Sequence, residues 1–238
     1  MTILITGAGG FVGREIVRRL VAQGQEVVAM DTVPDGIPAG ARVVAGDLGD
    51  AAVRAAALGA GVDAVIHLAT VPGGAAEADP AASRRCNVDA MYDLLLEATA
   101  LGRPRFVYAS SIAVYGDPLP AQVDDATPLS PKMIYGAHKA MMEHAVALFT
   151  NRGAIEGVTV RLPGILARPK GPSGMKSAFM SNLFHALKAG RRSSARSRPT
   201  RRSGRNRWRP APTISCMPSR SIPRCCRRPM PSRCPRCA

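Results

Sequence analysis

What most constrains the fold of this chain is an alternation running through its first 165 residues: short, nearly all-apolar runs take turns with longer stretches of helical spacing. The runs "TILIT" (2–6), "EVVAMD" (26–31), "ARVVAGD" (41–47), "DAVIHLA" (63–69), "RFVYASS" (105–111) and "GVTVRLP" (157–163) read as strands. They lack the polar–apolar alternation of a half-exposed strand and so suit a parallel sheet covered on both faces. Between them, "FVGREIVRRLVAQG" (11–24), "DAAVRAAALGAG" (50–61), "SRRCNVDAMYDLLLEATALG" (83–102) and "SPKMIYGAHKAMMEHAVALFTNRG" (130–153) carry helical periodicity, with glycine near each end. The expected fold is therefore α/β, a doubly wound parallel sheet. Past residue 165 the pattern thins: "ARPKGPSG" (167–174) reads as a loop, and 176–189 as an amphipathic helix with Phe179, Leu183 and Leu187 on one face.

Net charge is +15, but its distribution matters more than its size. Residues 191–238 hold 15 Arg and no Lys, Asp or Glu, while residues 1–190 balance 17 basic against 17 acidic side chains. The folded part is thus neutral, which argues against a nucleic-acid partner for it. No apolar run reaches the roughly 18 residues of a membrane helix, and no signal-like segment precedes "TILIT". A cytoplasmic chain with no membrane partner is expected, with Cys86 a buried free thiol.

Gly7, Gly10 and Gly13 fall between the first strand and the first helix. Glycine there permits a tight turn, lets backbone approach a pyrophosphate and lets helix pack close to strand. The helix start at Phe11 and Val12 then offers amide hydrogens and a positive dipole end to phosphates. Asp31 ends the second strand, 18 residues after Gly13, where a carboxylate accepts bonds from both adenosine ribose hydroxyls. It would repel a 2′-phosphate, and "MDTVPDG" offers no compensating Arg, so NAD is expected in preference to NADP.

"MIYGAHKAMME" sets Tyr135 and Lys139 four apart, on one helix face. A phenol needs a neighbouring ammonium to ionise near neutral pH and act as a base. Upstream, Ser111 ends a strand at the carboxyl edge of the sheet, where ligands of open α/β folds bind. His138, between Ala137 and Lys139, is expected at the surface or behind the site.

Together "TGAGGFVG", "HLAT", the "NV" of the 83–102 stretch, "SSIAVYG" and "YGAHK" resemble the extended short-chain dehydrogenase/reductase family, the NAD-dependent epimerases and dehydratases, over roughly residues 1–168. The resemblance implies a Rossmann-type NAD domain and a Ser–Tyr–Lys triad at Ser111, Tyr135 and Lys139, with Ser110 the less fitting serine. It implies that Asp47 and Leu48 lie beside the adenine, that Leu68 and Ala69 line the cofactor path, that Lys139 also holds the nicotinamide ribose, and that Asn87 belongs to the catalytic group. It also admits a homodimer through the family's helices. Nucleotide-sugar epimerases of the family follow the sixth strand with a different stretch from "RLPGILARPKGPSG" here. That segment and "SAFMSNLF" look more like the branch that oxidises small sugar acids, a D-erythronate-like small molecule. Arg168 is the substrate-binding candidate for the carboxylate, with Lys170 nearby. The alternative, an epimerase or dehydratase recycling its NAD, stays open.

The expected organisation is an NAD-binding domain with the catalytic residues over 1–165, the start of a substrate-binding region over 166–190, and an Arg/Pro-rich tail over 191–238. Three readings of the tail compete. It binds nucleic acid through its charge, with Trp208 stacking on a base. Or Cys225, Cys226, Cys234 and Cys237 bind zinc, although adjacent Cys225 and Cys226 suit paired knuckles poorly. Or the tail is out of frame: with CGN arginine and TCN serine codons, a one-base shift turns Arg192–Ser193–Ser194 into two codons for Phe, Leu, Ile or Val. The shifted text alternates apolar residues and contains an acid. On this last reading, which we favour, the tail is disordered, the substrate domain is truncated and no metal is expected.

Overall fold

The computed structural model describes residues 1–59 and 61–164, together with 181, 185, 188 and 189. Arg168, Lys170, most of the expected 176–189 helix and the whole 191–238 tail lie outside the described residues. Six parallel strands, β1 (Thr2–Thr6), β2 (Glu26–Asp31), β3 (Arg42–Ala45), β4 (Ala64–His67), β5 (Arg105–Ser111) and β6 (Glu156–Leu162), form one sheet in the order β3-β2-β1-β4-β5-β6. The helices are α1 (Phe11–Ala22), α2 (Ala51–Leu58), α3 (Gly73–Ala78), α4 (Pro80–Arg84), α5 (Met91–Thr99) and α6 (Ile134–Asn151). A π-helical segment, Arg85–Ala90, joins α4 to α5, and a 3-10 turn, Ile112–Val114, follows β5.

Strand order reverses at β1: Ile3 is in register with Val27 of β2 on one side and Ala64 of β4 on the other. The chain leaves β1 toward β3, then returns to build β4, β5 and β6. At that reversal the loops diverge and open a crevice at the carboxyl ends of the strands. Side chains alternate across each strand and feed two cores. Leu4, Val28, Met30, Val65 and Phe106 pack with Leu94, Leu95 and Met142 of α5 and α6, while Ile3, Ile5, Val27 and Ala29 pack with Val17 of α1.

Coverage on both faces holds at the centre of the sheet and fails at its margins. β1 and β2 are almost wholly buried, whereas Val43 of β3 is 46% exposed and Val158 of β6 is 57% exposed. Among the described residues β3 and β6 each have one neighbouring strand, and apolar composition alone does not say whether a layer covers them.

Two helices also differ from expectation. The helical stretch read at 83–102 starts at Pro80, three residues early, because Asp79 caps it through Ala82 N at 2.9 Å and Pro80 occupies the first turn. The other is α3, whose 6 residues are too few for helical periodicity to reveal. No helix among the described residues is long and apolar enough to cross a membrane.

His67 ends β4 in full burial. Its Nδ1 meets Thr6 Oγ1 at 2.8 Å, and its ring lies 5.9 Å from that of Tyr108. Burial, helped by the charge of Lys139, draws its pKa from 6.5 to about 3, so it is neutral in the fold. The unfolded chain protonates first, so stability present above pH 6.5 is lost as pH falls toward 3. The urea midpoint should therefore drop more steeply over this window in the wild type than in His67→Gln. Parallel slopes would rule out a buried neutral imidazole.

Candidate active site

The site begins where β1 stops. Gly7 takes φ 72°, a left-handed conformation, and a Cβ there would stand 2.6 Å from the nitrogen of Ala69 and 2.8 Å from the carbonyl carbon of Leu68. Only glycine lets this turn press against the strand exit of β4. Gly10 N donates to Gly7 O at 3.1 Å and caps α1. Gly13 lies one turn in, where a Cβ would meet Ala8 Cα at 2.8 Å, so the helix settles directly on the turn.

Asp31, at the end of β2, is held by two amides: Gly9 N donates to Oδ2 at 2.9 Å and Val33 N to Oδ1 at 3.0 Å. A carboxylate offers about four acceptor positions, so room remains for two hydroxyls. Beyond β3, Asp47 Oδ1 accepts from Gly49 N at 2.8 Å, and Leu48 is buried. Arg54 of α2 braces this corner from within. It is 4% exposed, donates to Leu48 O at 2.8 Å and pairs with Glu97 at 2.9 Å and Asp93 at 3.4 Å. The one visible hint of this brace is a lone arginine in the otherwise apolar "AAVRAAAL".

At the end of β5 the two serines part. Ser110, 2% exposed, donates to Glu143 Oε1 at 2.5 Å beneath α6, whereas Ser111 Oγ accepts from Ala113 N at 3.2 Å and begins the 3-10 turn. Lys139 is 2% exposed, and its Nζ donates to Ala109 O at 2.8 Å. Its Nζ lies 4.8 Å from the ring centre of Tyr108 and 5.7 Å from that of Tyr135. Burial pulls the lysine from 10.5 down to about 7, against the opposing pull of Cys86 and Glu143. Of the two phenols, Tyr108 is buried, its hydroxyl finds no hydrogen-bond partner among the described residues, and burial pushes its pKa upward. It is thereby held neutral beside the same ammonium.

One cavity of about 1060 Å³ gathers these groups. Its wall runs from Gly7, Gly10, Phe11, Val12 and Gly13 past Asp31, Asp47 and Leu48 to Leu68 and Ala69, and ends at Ser111, Tyr135 and Lys139. The volume suits an extended ligand, at the upper end of the roughly 300–1,000 Å³ of small-molecule pockets. Glycine backbone at one end and an oriented carboxylate nearby fit a dinucleotide, because phosphates approach bare backbone and ribose hydroxyls need acceptors.

Asn87, expected in the catalytic group, sits behind the cavity wall, 3% exposed. Oδ1 accepts from Val71 N at 2.7 Å and Thr70 Oγ1 at 3.1 Å; Nδ2 donates to Val71 O at 3.0 Å and Ser83 Oγ at 3.1 Å. Its hydrogen-bonding capacity is used within the protein, so it braces the loop after β4. His138 is likewise buried, with Nδ1 3.0 Å from Ser83 Oγ. Cys86 is free but half-buried on the cavity wall, its thiol pushed up first by burial and then by the charge of Asp47.

Sequence patterns also carry no sign of the tie between α6 and β6. Glu143, 8% exposed, accepts from Arg161 Nε at 3.1 Å and from its terminal nitrogen at 2.7 Å. The same guanidinium donates to Tyr115 Oη at 2.7 Å and lies 5.1 Å from its ring centre. The pair thus joins helix, edge strand and the turn after Ser111.

The sequence matches the NAD dependent epimerase/dehydratase family over residues 3–209. It is 39% identical over 198 residues to the D-erythronate dehydrogenase of Cupriavidus necator, covering 77% of this chain and 61% of that protein. This chain therefore spans about three fifths of that relative's length. Among solved structures it is similar to a short-chain dehydrogenase/reductase superfamily protein from Agrobacterium tumefaciens with bound NAD (TM-score 0.62, 37% identity, 68% of this chain and 48% of that one). It is similar also to the UDP-glucose 4-epimerase of Thermus thermophilus in complex with NAD (TM-score 0.72, 26% identity, 80% and 64% covered).

Glu143→Gln should destabilise the chain by about 2–4 kcal/mol, since it strands a largely enclosed guanidinium. The Arg161 side chain is 22% exposed, which places the effect at the lower end. Urea unfolding measures it, and a change under about 0.5 kcal/mol would show that the pair contributes little.

Proposed function

The chain belongs to the NAD dependent epimerase/dehydratase family, and on that premise we propose that it is an NAD-dependent oxidoreductase acting on a small sugar acid. The carrying observation is that Ser111, Tyr135 and Lys139 share one cavity wall with the Gly7–Gly13 turn and Asp31. In this reading residues 1–165 hold both cofactor and catalytic groups, and 166–190 begin the substrate-binding region. The similarity to D-erythronate dehydrogenase favours a four-carbon sugar acid, oxidised at its 2-hydroxyl to the 2-oxo acid.

When bound, NAD supplies the acceptor for the hydride leaving the substrate carbon. The Gly7–Gly13 turn and the start of α1 hold its phosphates, and Asp31 accepts from its adenosine ribose. Asp47 and Leu48 flank the adenine, held in place by Arg54. Leu68 and Ala69 form the path between the two ends.

Tyr135 Oη takes the proton from the substrate hydroxyl while Ser111 Oγ donates to the oxygen becoming a carbonyl. Lys139 stands beside the phenol, and its positive charge favours the phenolate. Its own proton is held weakly in burial, and a negative oxygen arriving nearby strengthens that hold. The bond from Nζ to Ala109 O fixes where the charge sits. Asn87 touches none of the reacting atoms and positions Thr70 and Val71 along the wall.

A second reading, recycling of NAD by a nucleotide-sugar epimerase, is favoured by the similarity to the Thermus enzyme. Cofactor retained through purification, with no net NADH, would support it over the dehydrogenase.

With D-erythronate and NAD, absorbance at 340 nm should rise, and Tyr135→Phe should lower that rate by about 10²–10⁴-fold while NAD affinity stays within a few-fold. Full activity in the variant would overturn the role of Tyr135. Calorimetric titration should show NAD bound at least about tenfold tighter than NADP, with Asp31→Asn narrowing the gap. Equal affinities in the wild type would remove Asp31 as the discriminator.

A further inference from the structure

We propose that Arg85 is the anion contact of this cavity, its guanidinium donating to phosphate oxygens of the dinucleotide or to the carboxylate of the hydroxy acid. The inference rests on the proposed function and adds a residue to that site.

Arg85 opens the π-helical segment Arg85–Ala90. A π segment adds a residue to the helical turn, re-aims the side chains around it and is frequent at functional sites. This one is anchored from behind, through the bonds of Asn87 to Val71 and Ser83. Arg85 itself is exposed and lines the cavity, next to Cys86.

The charge balance of the wall makes the arginine matter. Among the described lining residues, the charged side chains are Asp31, Asp47, Arg85 and Lys139. Lys139 is buried and its Nζ is committed to Ala109 O beside Tyr135. Two carboxylates facing a ligand with phosphate or carboxylate groups would repel it, and one buried lysine does not offset both. Arg85 carries a permanent charge and the planar fork that matches such oxygens.

Other arginines near the site are already engaged. Arg54 pairs with Glu97, Arg161 with Glu143, and the neighbouring Arg84 with Asp89 at 3.3 Å. The Arg85 side chain makes no ion pair or hydrogen bond among the described residues, its backbone N–H alone being engaged, with Ala81 O and Ala82 O. Its donors are open at the wall, and replacing it removes no described polar tie that holds the fold.

The test is calorimetric titration of the full chain, wild type and Arg85→Gln, first with NAD and then with D-erythronate into the NADH-saturated protein, where no hydride acceptor is present and binding alone is read. Loss of about tenfold or more in NAD affinity assigns Arg85 to the phosphates. NAD affinity within twofold, but a tenfold or greater loss for D-erythronate, assigns it to the carboxylate. Arg85→Lys, which keeps charge without the fork, should fall between wild type and Arg85→Gln in whichever titration responds. Unchanged affinity for both ligands in Arg85→Gln overturns the proposal and leaves the proposed function standing. A wild type that binds neither ligand overturns both.

Discussion

The structure depends on one close approach, that of the Gly7 turn to the backbone of Leu68 and Ala69. Neighbouring parallel strands sit side by side, and the loops leaving β1 and β4 would ordinarily crowd each other with side chains. At Gly7 there is none, and a Cβ would lie within 3 Å of three backbone atoms. The turn therefore folds flat against the exit of β4, α1 starts immediately, and its positive end faces the crevice where strand order reverses. Gly13 repeats the device one turn later, against Ala8. Cavity and helix dipole are both placed by these two missing side chains.

Around that cavity the protein keeps its charges on short leashes. Asp31 is held by two amides, Lys139 by one carbonyl, Arg54 by a carbonyl and two acids, and Arg161 by Glu143 and Tyr115. Buried charge is costly unless partnered, so each fixed partner reports where the fold cannot relax. Lys139 loses proton affinity in consequence, its pKa falling to about 7. That same desolvation leaves Tyr108, 4.8 Å away, as a neutral phenol and leaves the exposed end of the site to Tyr135. Of these two tyrosines near one ammonium, Tyr108 is buried and Tyr135 partly open to the cavity.

The margins of the sheet contrast with this centre. β1 and β2 are sealed, while Val158 and Val160 of β6 remain 57% and 41% exposed. The Glu143–Arg161 pair, which joins β6 to α6, lies on the opposite face of the strand from those valines, as strand alternation requires. Polar tethering on one face and uncovered apolar surface on the other leave β6 sealed on one side only. It is also the strand that leads into residues 165 onward, where the sequence resemblance to sugar-acid enzymes continues.

Sequence alone determined the parallel sheet, the glycine turn, Asp31 and the spacing of Tyr135 and Lys139. These are local facts: periodicity, backbone permissiveness and a four-residue helical offset act within a few residues of chain. It could not determine that Asn87 would be used up bracing Val71, that Arg54 would hold Leu48, or that Glu143 would reach Arg161. Each of those partners is 6 to 18 residues away along the chain. The exposure of β3 and β6 was invisible for a related reason: an apolar run says what a strand tolerates on its faces, not which neighbours arrive to cover them. Nor did spacing single out Arg85, because its place on the open cavity wall, beside arginines that have other partners, arises only in the fold. Short-range chemistry chose the elements; the competition of buried charges for partners, which exists only after packing, decided which side chains were left facing the ligand.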